Sequence, residues 1–440
     1  MASPQHLRKP RYQALGRSSA VNGQKTLLDL PIEMILEIIT WLPRSREKAR
    51  RKSKQISPRK ALRLTSRFLA VALEPFLLDA VSISCASSAR DFLKWCTECV
   101  AQNRDPPVRR LSISNVGHPS LGITNPQLVF YNVFEGILSV ISPSLHQLKV
   151  EFYNCFEFSD KIVHSFGRAT RLWALHLQIN GQPPRLNPVP QVSMRDASAN
   201  LDLHDPYPFL ASLRALPSLS ELELNNCLDY CMSLDTNPDS NLLPCVQHLS
   251  INIDSHSTSL PSHPHKFLLE LCKAFSQSLL ILEIKGSRYD SSKLLPVLGA
   301  TRRRLEALYI SDVALAQKCQ ELKFPRLRTF VLDDSRYLTR DEFHSPFFEQ
   351  ISTLVLRRWK GTDVPLEIPV EAFPNLNRVV LTYTSHITLD IASLFKECQA
   401  ACIDLLATPK SVNLKEIWAV DAAEARHRSI HKHIGQISKV

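Results

Sequence analysis

A pair of cysteines is the first feature whose residue type and spacing could bind a metal or carry redox chemistry. Cys96 and Cys99 form a C-x-x-C pair, but no second pair follows at the spacing of a zinc ribbon. Both fall on a helical pattern together with Ala89, Phe92 and Leu93. Buried cysteine behaves as a small apolar residue, so we interpret the pair as part of a packed core.

Histidines form two groups that could bind a metal. His263 and His265 lie in a Ser/Pro-rich stretch, and His427, His431 and His433 lie in the basic C-terminal segment. Both settings are typical of solvated surface, which is our interpretation of each group.

Phosphate-binding loops are disfavoured by composition, because glycine lets backbone approach a phosphate and only 11 of 440 residues are glycine. The nearest match to a P-loop, Gly117 to Thr124, has Ile123 where the phosphate-binding lysine belongs. No H-E-x-x-H, G-x-S-x-G or paired-carboxylate motif stands out. The sequence therefore predicts a protein that is not an enzyme and needs no cofactor.

Positive charge is concentrated near the N-terminus. Residues 1–60 contain 14 Lys/Arg and 4 Asp/Glu, which leaves 39 against 38 in the other 380 residues of this +11 chain. This nearly neutral body disfavours nucleic acid as the partner and favours protein. We find no apolar run long enough to span a membrane and no signal peptide, and eleven cysteines fit a reducing compartment. We expect a cytoplasmic or nuclear protein.

The pattern L-x-x-L-x-L recurs along most of the chain, mostly at intervals in or near the 20–29-residue period of leucine-rich repeats. Proline precedes the first apolar position by two residues in five of nine units, where it ends a helix and favours extended backbone. Polar residues alternate inside the strands. The pattern predicts an irregular α/β repeat solenoid with parallel strands. The first positions are Leu145, Leu172, Leu219, Val246, Leu279, Leu305, Leu327, Ile351 and Leu376.

The ends of the array are less regular. Residues 109–113 indicate an earlier unit and residues 414–419 a frayed last one, while the spacing from Ile391 to Leu405 is helical. The turn position that is Asn or Cys in regular repeats is retained as Asn180 and Cys227. Its loss elsewhere predicts irregular curvature.

A helical segment precedes the repeats. Leu30-Pro31-Ile32-Glu33 places proline in the first turn of a helix, where its missing N–H is tolerated. An apolar helical face follows, and Pro43 ends it. A second amphipathic stretch runs from Ala61 to Leu77. In type and order these residues resemble the F-box family, although the insertion from Arg44 to Lys60 exceeds the family's usual connection.

The F-box resemblance implies a three-helix domain that docks on the SKP-type adaptor of an SCF cullin–RING ubiquitin ligase, while the repeats bind a protein substrate. We divide the chain into a disordered basic lead-in (1–26), the F-box (27–83, with a basic insertion at 44–60), the solenoid (84–420) and a basic tail (421–440). By motif position, the docking surface and its core are Leu30, Pro31, Ile35, Ile39, Leu42, Leu64 and Phe68.

Substrate contacts are expected on the concave face of the solenoid, because side chains alternate along each strand and every second one points away from the core. Long insertions at 182–203 and 229–243 are equally plausible recognition elements. The candidate substrate-binding residues on the strands are His176, Gln178, Glu221, Glu223, Glu283, Tyr309 and Arg357.

The sequence leaves three alternatives for the function and three for the basic insertion. The F-box protein could act in degradation or as a scaffold outside it, and the cullin would be absent from a scaffold. A basic nucleic-acid-associated repeat protein is the third alternative, disfavoured by the neutral body. The basic insertion could be a solvated loop, a nuclear-import signal or an electrostatic grip on an acidic partner.

Overall fold

The computed structural model divides the chain into two units, Met1–Leu78 and Asp79–Val440. In the first unit, Met34 and Glu37 are helical and exposed, at positions where the sequence predicts the first F-box helix. The seven predicted docking residues, the lead-in and the basic insertion lie outside the described residues. The structure describes residues 34, 37, 78–117, 127–153, 159–180, 213–227, 244–253, 264–286, 291–333, 343–359, 368–383, 392–408 and 413–424.

The second unit is built on one parallel sheet, whose thirteen described strands follow one another in chain order except that the short β3 pairs beside β2. This arrangement confirms the predicted α/β repeat solenoid with parallel strands. The strands are β1 (Ala80–Ile83), β2 (Arg110–Gly117), β3 (Val129–Phe130), β4 (Gln147–Tyr153), β5 (Ala174–Asn180), β6 (Glu221–Asn225), β7 (His248–Asn252), β8 (Ile281–Lys285), β9 (Ala307–Ile310), β10 (Thr329–Asp333), β11 (Thr353–Trp359), β12 (Arg378–Tyr383) and β13 (Asp404–Thr408).

Helices of the connections pack side by side on one face of the sheet and bury their apolar stripes there. Among the described residues, every helix is too short or too polar to cross a bilayer. The helices are α1 (Ala86–Ala101), α2 (Tyr131–Ile141), α3 (Asp160–Arg168), α4 (Pro264–Phe275), α5 (Ser291–Thr301), α6 (Val313–Cys319), α7 (Ala392–Ala400) and α8, of which the structure describes residues 414–424.

The core lies between the sheet and helices α1–α7, and the apolar positions of the repeat pattern build it. All nine predicted units form strands, and residues 110–113 of the predicted earlier unit belong to β2. Parallel pairing in register stacks the middle apolar residue of each unit, a leucine in all but Phe330 and Val379, on that of the next. Leu222, Leu249, Leu308 and Leu354 are fully buried in these positions.

The array begins and ends differently from the sequence-based expectation. Strand β1, which we grouped with the F-box, pairs with β2 and belongs to the sheet. Helix α7 ends at Ala400 instead of continuing to Leu405, because Cys402 adopts a left-handed φ of 57° and the N–H of Ile403 closes the turn on Cys398 O at 2.8 Å. The chain then forms β13 beside β12.

Residues 414–419 are not a last repeat but the start of α8. Asn413 caps this helix, because its side-chain oxygen accepts from the N–H of Lys415 at 2.9 Å. The three-residue spacing of Leu414 and Ile417 is compatible with a helix and also with the first two leucines of an L-x-x-L-x-L strand unit. The cap at Asn413 favours the helix. The predicted tail boundary at 421 therefore falls inside a helix.

Candidate functional site on the face of the sheet opposite the core

The side chains at the first, third and fifth strand positions lie on the face of the sheet opposite helices α1–α7, which we call the strand face. In β4 and β6, buried core residues alternate with half-buried residues of this face. The row of third positions changes from polar or ionisable residues to apolar ones after Tyr309. In order from β4 to β13 this row is Lys149, His176, Glu223, Ser250, Glu283, Tyr309, Val331, Val355, Val380 and Leu406.

His176 on β5 lies between two carboxylates of β6, and we call these three residues the His176 cluster. The Nε2 atom is 3.0 Å from Glu221 Oε1, and Nδ1 is 2.9 Å from Glu223 Oε2. Asn225 Nδ2 donates to Glu223 at 2.7 Å. Lys415 of α8 forms an ion pair with the second oxygen of Glu221. The two strands thus hold the imidazole by both nitrogens.

Charges in the His176 cluster stabilise one another. Burial lowers the pKa of His176, but the hydrogen bonds and charges of Glu221 and Glu223 outweigh it and raise this pKa to about 9. Burial raises the pKa of Glu221, but His176 and Lys415 bring it down to about 2. The hydrogen bond from His176 lowers the pKa of Glu223 to about 2. At neutral pH the cluster is an imidazolium between two carboxylates.

A second cluster, the His248 cluster, consists of His248, Ser250, Glu283 and Lys285 on β7 and β8. Glu283 Oε1 is 3.0 Å from His248 Nε2, and its Oε2 is 2.8 Å from Lys285 Nζ, which also donates to Ser250 Oγ at 2.8 Å. Burial raises the pKa of Glu283, but the His248 hydrogen bond and the charge of Lys285 lower it to about 2. This cluster is mostly enclosed and serves to neutralise a buried carboxylate.

Apolar residues take over the strand face from β8 to β12, where they form a hydrophobic cluster separate from the main core. Helix α8 lies on them and contributes Leu414 and Ile417 to the cluster, with Trp418 packed against it. The sheet is therefore covered on both faces here. The sheet members of this cluster are Ile281, Ala307, Tyr309, Val331, Val355 and Val380.

Polar contacts fix the first half of α8 on the sheet. The Lys415 ammonium is 4.7 Å from the ring centroid of Trp173, in addition to its pair with Glu221. Trp418 Nε1 donates to Glu306 Oε2 at 3.1 Å. These contacts place the beginning of α8 over the acidic, aromatic side of the strand face.

Asp421 anchors the second half of α8. Its carboxylate accepts from Thr329 Oγ1 at 2.6 Å and from Thr353 Oγ1 at 2.8 Å, and Arg378 Nη1 is 3.3 Å away. Arg378 Nη2 also pairs with Glu424 at 2.7 Å. Burial raises the pKa of Asp421, although the two threonines and Arg378 oppose that shift. Residues Asp421 and Glu424 of α8 thus lie over hydroxyl donors and a cation.

The structure separates the seven predicted substrate-binding residues. His176, Glu221 and Glu223 meet in one cluster, and half-buried Gln178 beside them donates to Asn180 at 2.7 Å. The expectation of a solvated face is wrong at Glu283 and Tyr309, which are buried by the His248 cluster and by α8.

Tyr309 uses its hydroxyl to bind the carboxylate of Asp333, and the Arg357 guanidinium lies 4.8 Å from the Tyr309 ring centroid. Arg357 itself is half-buried. The last two predicted contact residues therefore stabilise each other at the edge of the apolar half of the strand face.

Sequence reasoning missed the apolar half of the strand face. Its signal was present: the central residues of β10, β11 and β12 read Phe-Val-Leu, Leu-Val-Leu and Val-Val-Leu, and such unbroken apolar runs are typical of strands covered on both faces. Alternation in the earlier strands concealed this change. Helix α8 covers these apolar runs, and from sequence we interpreted its first residues, 414–419, as a frayed repeat.

Cys96 and Cys99 are both buried in or beside the core, which agrees with the interpretation of packed cysteines. Burial raises the pKa of the Cys96 thiol to about 12. Among the described residues, no three His, Cys, Asp or Glu side chains are arranged to hold a metal ion.

No protein-family model matches the chain, and no curated protein matches it either. Among solved structures, the chain is similar to a chain of the TLR13–ssRNA13 complex at 13% identity and a TM-score of 0.28, over 63% of this chain but only 30% of that one. It is also similar to a chain of the LRIM1/APL1C complex at 13% identity and a TM-score of 0.19, over 76% of this chain and 68% of that one.

Proposed function

We propose that this protein is a non-catalytic substrate-recognition subunit of an SCF-type cullin–RING ubiquitin ligase. Its N-terminal segment would dock on the SKP-type adaptor, and the solenoid would bind a protein substrate. The observation that carries the proposal is the order of the two parts: the F-box-like sequence motif between Leu30 and Phe68 precedes a parallel repeat solenoid that displays a long strand face. A cytoplasmic or nuclear location belongs to the same proposal.

Such a subunit accelerates ubiquitin transfer by proximity, because it holds a substrate lysine near the charged ubiquitin-conjugating enzyme. It needs binding surfaces and no reacting groups of its own. The paired, hydrogen-bonded state of His176, Glu221 and Glu223 suits that role, since fixed charges with satisfied partners give specificity in protein recognition.

The substrate would meet the ionisable half of the strand face, from β4 to β8. Lys149, His176 and Glu223 are half-buried there and remain accessible to solvent. At neutral pH the His176 cluster has one positive and two negative charges, with Lys415 beside it. A complementary substrate surface would present a cationic or hydrogen-bond-donating group to Glu223.

Adaptor binding tests the proposal directly. The purified full-length chain should bind a purified SKP-type adaptor, and replacing Leu30 and Pro31 by Ala should weaken that binding at least tenfold, or about 1.4 kcal/mol, through lost apolar contact. Replacing exposed Met34 by Ala is a matched control outside the predicted apolar stripe. A wild-type chain that does not bind the adaptor would refute the F-box assignment.

A further inference from the structure

We propose that a cluster of basic residues in the turns before β9 and β10 binds an acidic segment of a partner protein. We call these residues the arginine cluster. The inference goes beyond the proposed function, because it needs neither the adaptor nor a substrate on the strand face. The members of the cluster are Arg302, Arg303, Arg304, Lys323, Arg326 and Arg328.

The repeat geometry brings the two basic turns together. Strands β9 and β10 are parallel neighbours in register, and Arg304 and Arg326 each lie three residues before the start of their strand. The N–H of Arg328 donates to the carbonyl oxygen of Glu306 at 2.9 Å, so the chains are joined one residue before the strands as well. Neighbouring strands lie about 5 Å apart. The two turns therefore present their basic side chains at the same edge of the sheet.

The charges of the arginine cluster are exposed and not neutralised. Arg302 is half-buried and the other five members are exposed. Within the part of the chain that the structure describes, none of the six forms an ion pair, whereas Arg378 contacts three carboxylates. The acids of residues 302–306 and 321–328 are Glu306, which accepts from Trp418, and exposed Glu321. Six cations against two acids leave a local charge of +4.

The helix dipole explains only part of the cluster. Basic residues stabilise the C-terminal end of a helix, and residues 302–304 directly follow Thr301, where α5 ends. That effect is confined to the last turn of a helix. Arg326 and Arg328 lie seven and nine residues beyond Cys319, the end of α6. Their charges therefore have no such role in stabilising the fold.

The repeat architecture does not require cations at these positions either. Ser278 and Gln350 occupy the place of Arg304 in the flanking units of β8 and β11. The cluster is therefore an island two strands wide on a body that is otherwise nearly neutral. An island of this kind is typical of a binding surface for a small anionic group of atoms.

The size and composition of the island favour a protein partner. Binding to a nucleic-acid backbone spreads over many phosphates, and single strands also stack on exposed aromatic rings. Phe324, the aromatic residue of these two turns, is buried. Five of the six members are arginine, whose planar guanidinium binds carboxylates through two parallel hydrogen bonds. A short run of Asp or Glu side chains therefore matches the cluster.

A labelled oligoglutamate peptide, titrated against full-length chains by fluorescence anisotropy at about 0.15 M salt, tests the proposal. The test chain is Arg304→Gln/Arg326→Gln. The matched control is Arg171→Gln/Arg214→Gln, which removes two exposed arginines before β5 and β6 and so leaves the same net charge. The basic residues of 1–60 are identical in all these chains. An oligoglutamine peptide and an oligothymidylate strand are titrated in parallel.

Oligoglutamate should bind the test chain at least about fivefold more weakly than wild type, because two charge-assisted contacts are lost. The control chain should differ from wild type by less than about twofold. Oligoglutamine should not bind. Equal affinity of oligoglutamate for the three chains would overturn the proposal. Tighter binding of oligothymidylate than of oligoglutamate, lost in the same test chain, would replace it with a nucleic-acid site.

Photocrosslinking locates the bound peptide. A benzophenone at its centre should crosslink wild type within residues 301–328, and crosslinks confined to residues 1–60 would contradict the proposal. If the test chain does not fold, as judged by circular dichroism, Arg303→Gln/Lys323→Gln replaces it with the same expectation. None of these measurements involves the adaptor, so a failure here leaves the F-box proposal standing and a failure of adaptor binding leaves this site standing.

Discussion

Replacing His176 by Gln should make the stability of the protein less dependent on pH. The histidine pKa of about 9 in the folded chain lies well above its ordinary value of 6.5. Each pKa unit corresponds to about 1.4 kcal/mol of unfolding free energy. Because His176 is partly accessible to solvent, we reduce the total, and protonation of His176 then stabilises the folded chain by about 2–3 kcal/mol. Because the folded pKa is raised, this stability is fully present below pH 6.5 and is lost as the pH rises through 9.

Urea denaturation at pH 6 and pH 10 measures this effect. The difference in unfolding free energy between wild type and His176→Gln should be about 2–3 kcal/mol smaller at pH 10 than at pH 6. Lysine, cysteine and tyrosine titration is shared by both proteins and cancels in that difference. His164→Gln on the exposed side of α3 is the matched histidine-to-glutamine control outside the cluster. A difference that is the same at both pH values would refute the charged cluster.

Two further predictions concern the core and the basic insertion. Leu308→Ala should lower the unfolding free energy by roughly 2–5 kcal/mol because it leaves a cavity in the core. Leu406→Ala is the control at a half-exposed site and should lower the unfolding free energy far less. Equal losses of unfolding free energy in thermal or urea denaturation would contradict the predicted core. If the basic insertion is a nuclear-import signal, neutralising it should move a tagged chain from the nucleus to the cytoplasm. If the distribution is unchanged and adaptor binding becomes weaker in a salt-dependent way, the insertion instead binds an acidic partner electrostatically. The substitutions are Arg50→Ala, Arg51→Ala, Lys52→Ala and Lys54→Ala.

The repeat strands could be predicted from sequence because their determinants are local. Each L-x-x-L-x-L unit contains its own core residues, and a proline such as Pro143 or Pro325 marks the change from turn to strand. Among the described strands, the two-residue β3 was not predicted, and the final strand, β13, was missed as well. Its helix ends through a left-handed cysteine, Cys402, where glycine is the usual signal.

The strand face could not be predicted in the same way, because exposure there depends on contacts between distant parts of the chain. The hydrogen bond of Thr329 to Asp421 joins residues 92 positions apart, and that of Thr353 joins residues 68 apart. By contrast, the meeting of His176 with Glu221 and Glu223 follows from register once the strands are known to be parallel neighbours. Strand pairing was readable from the repeats, but the position of α8 was not.

Quantitative mass spectrometry of the affinity-purified chain tests most directly whether this protein joins an adaptor to a protein substrate through separate surfaces. Wild type should retain the adaptor, the cullin and at least one further protein. Leu30→Ala/Pro31→Ala should lose the adaptor and the cullin but retain the further protein. Glu223→Gln, which removes a charge from the His176 cluster, should retain the adaptor and the cullin but lose the further protein. The account is contradicted if wild type retains no adaptor, or if both variants lose the same set of proteins.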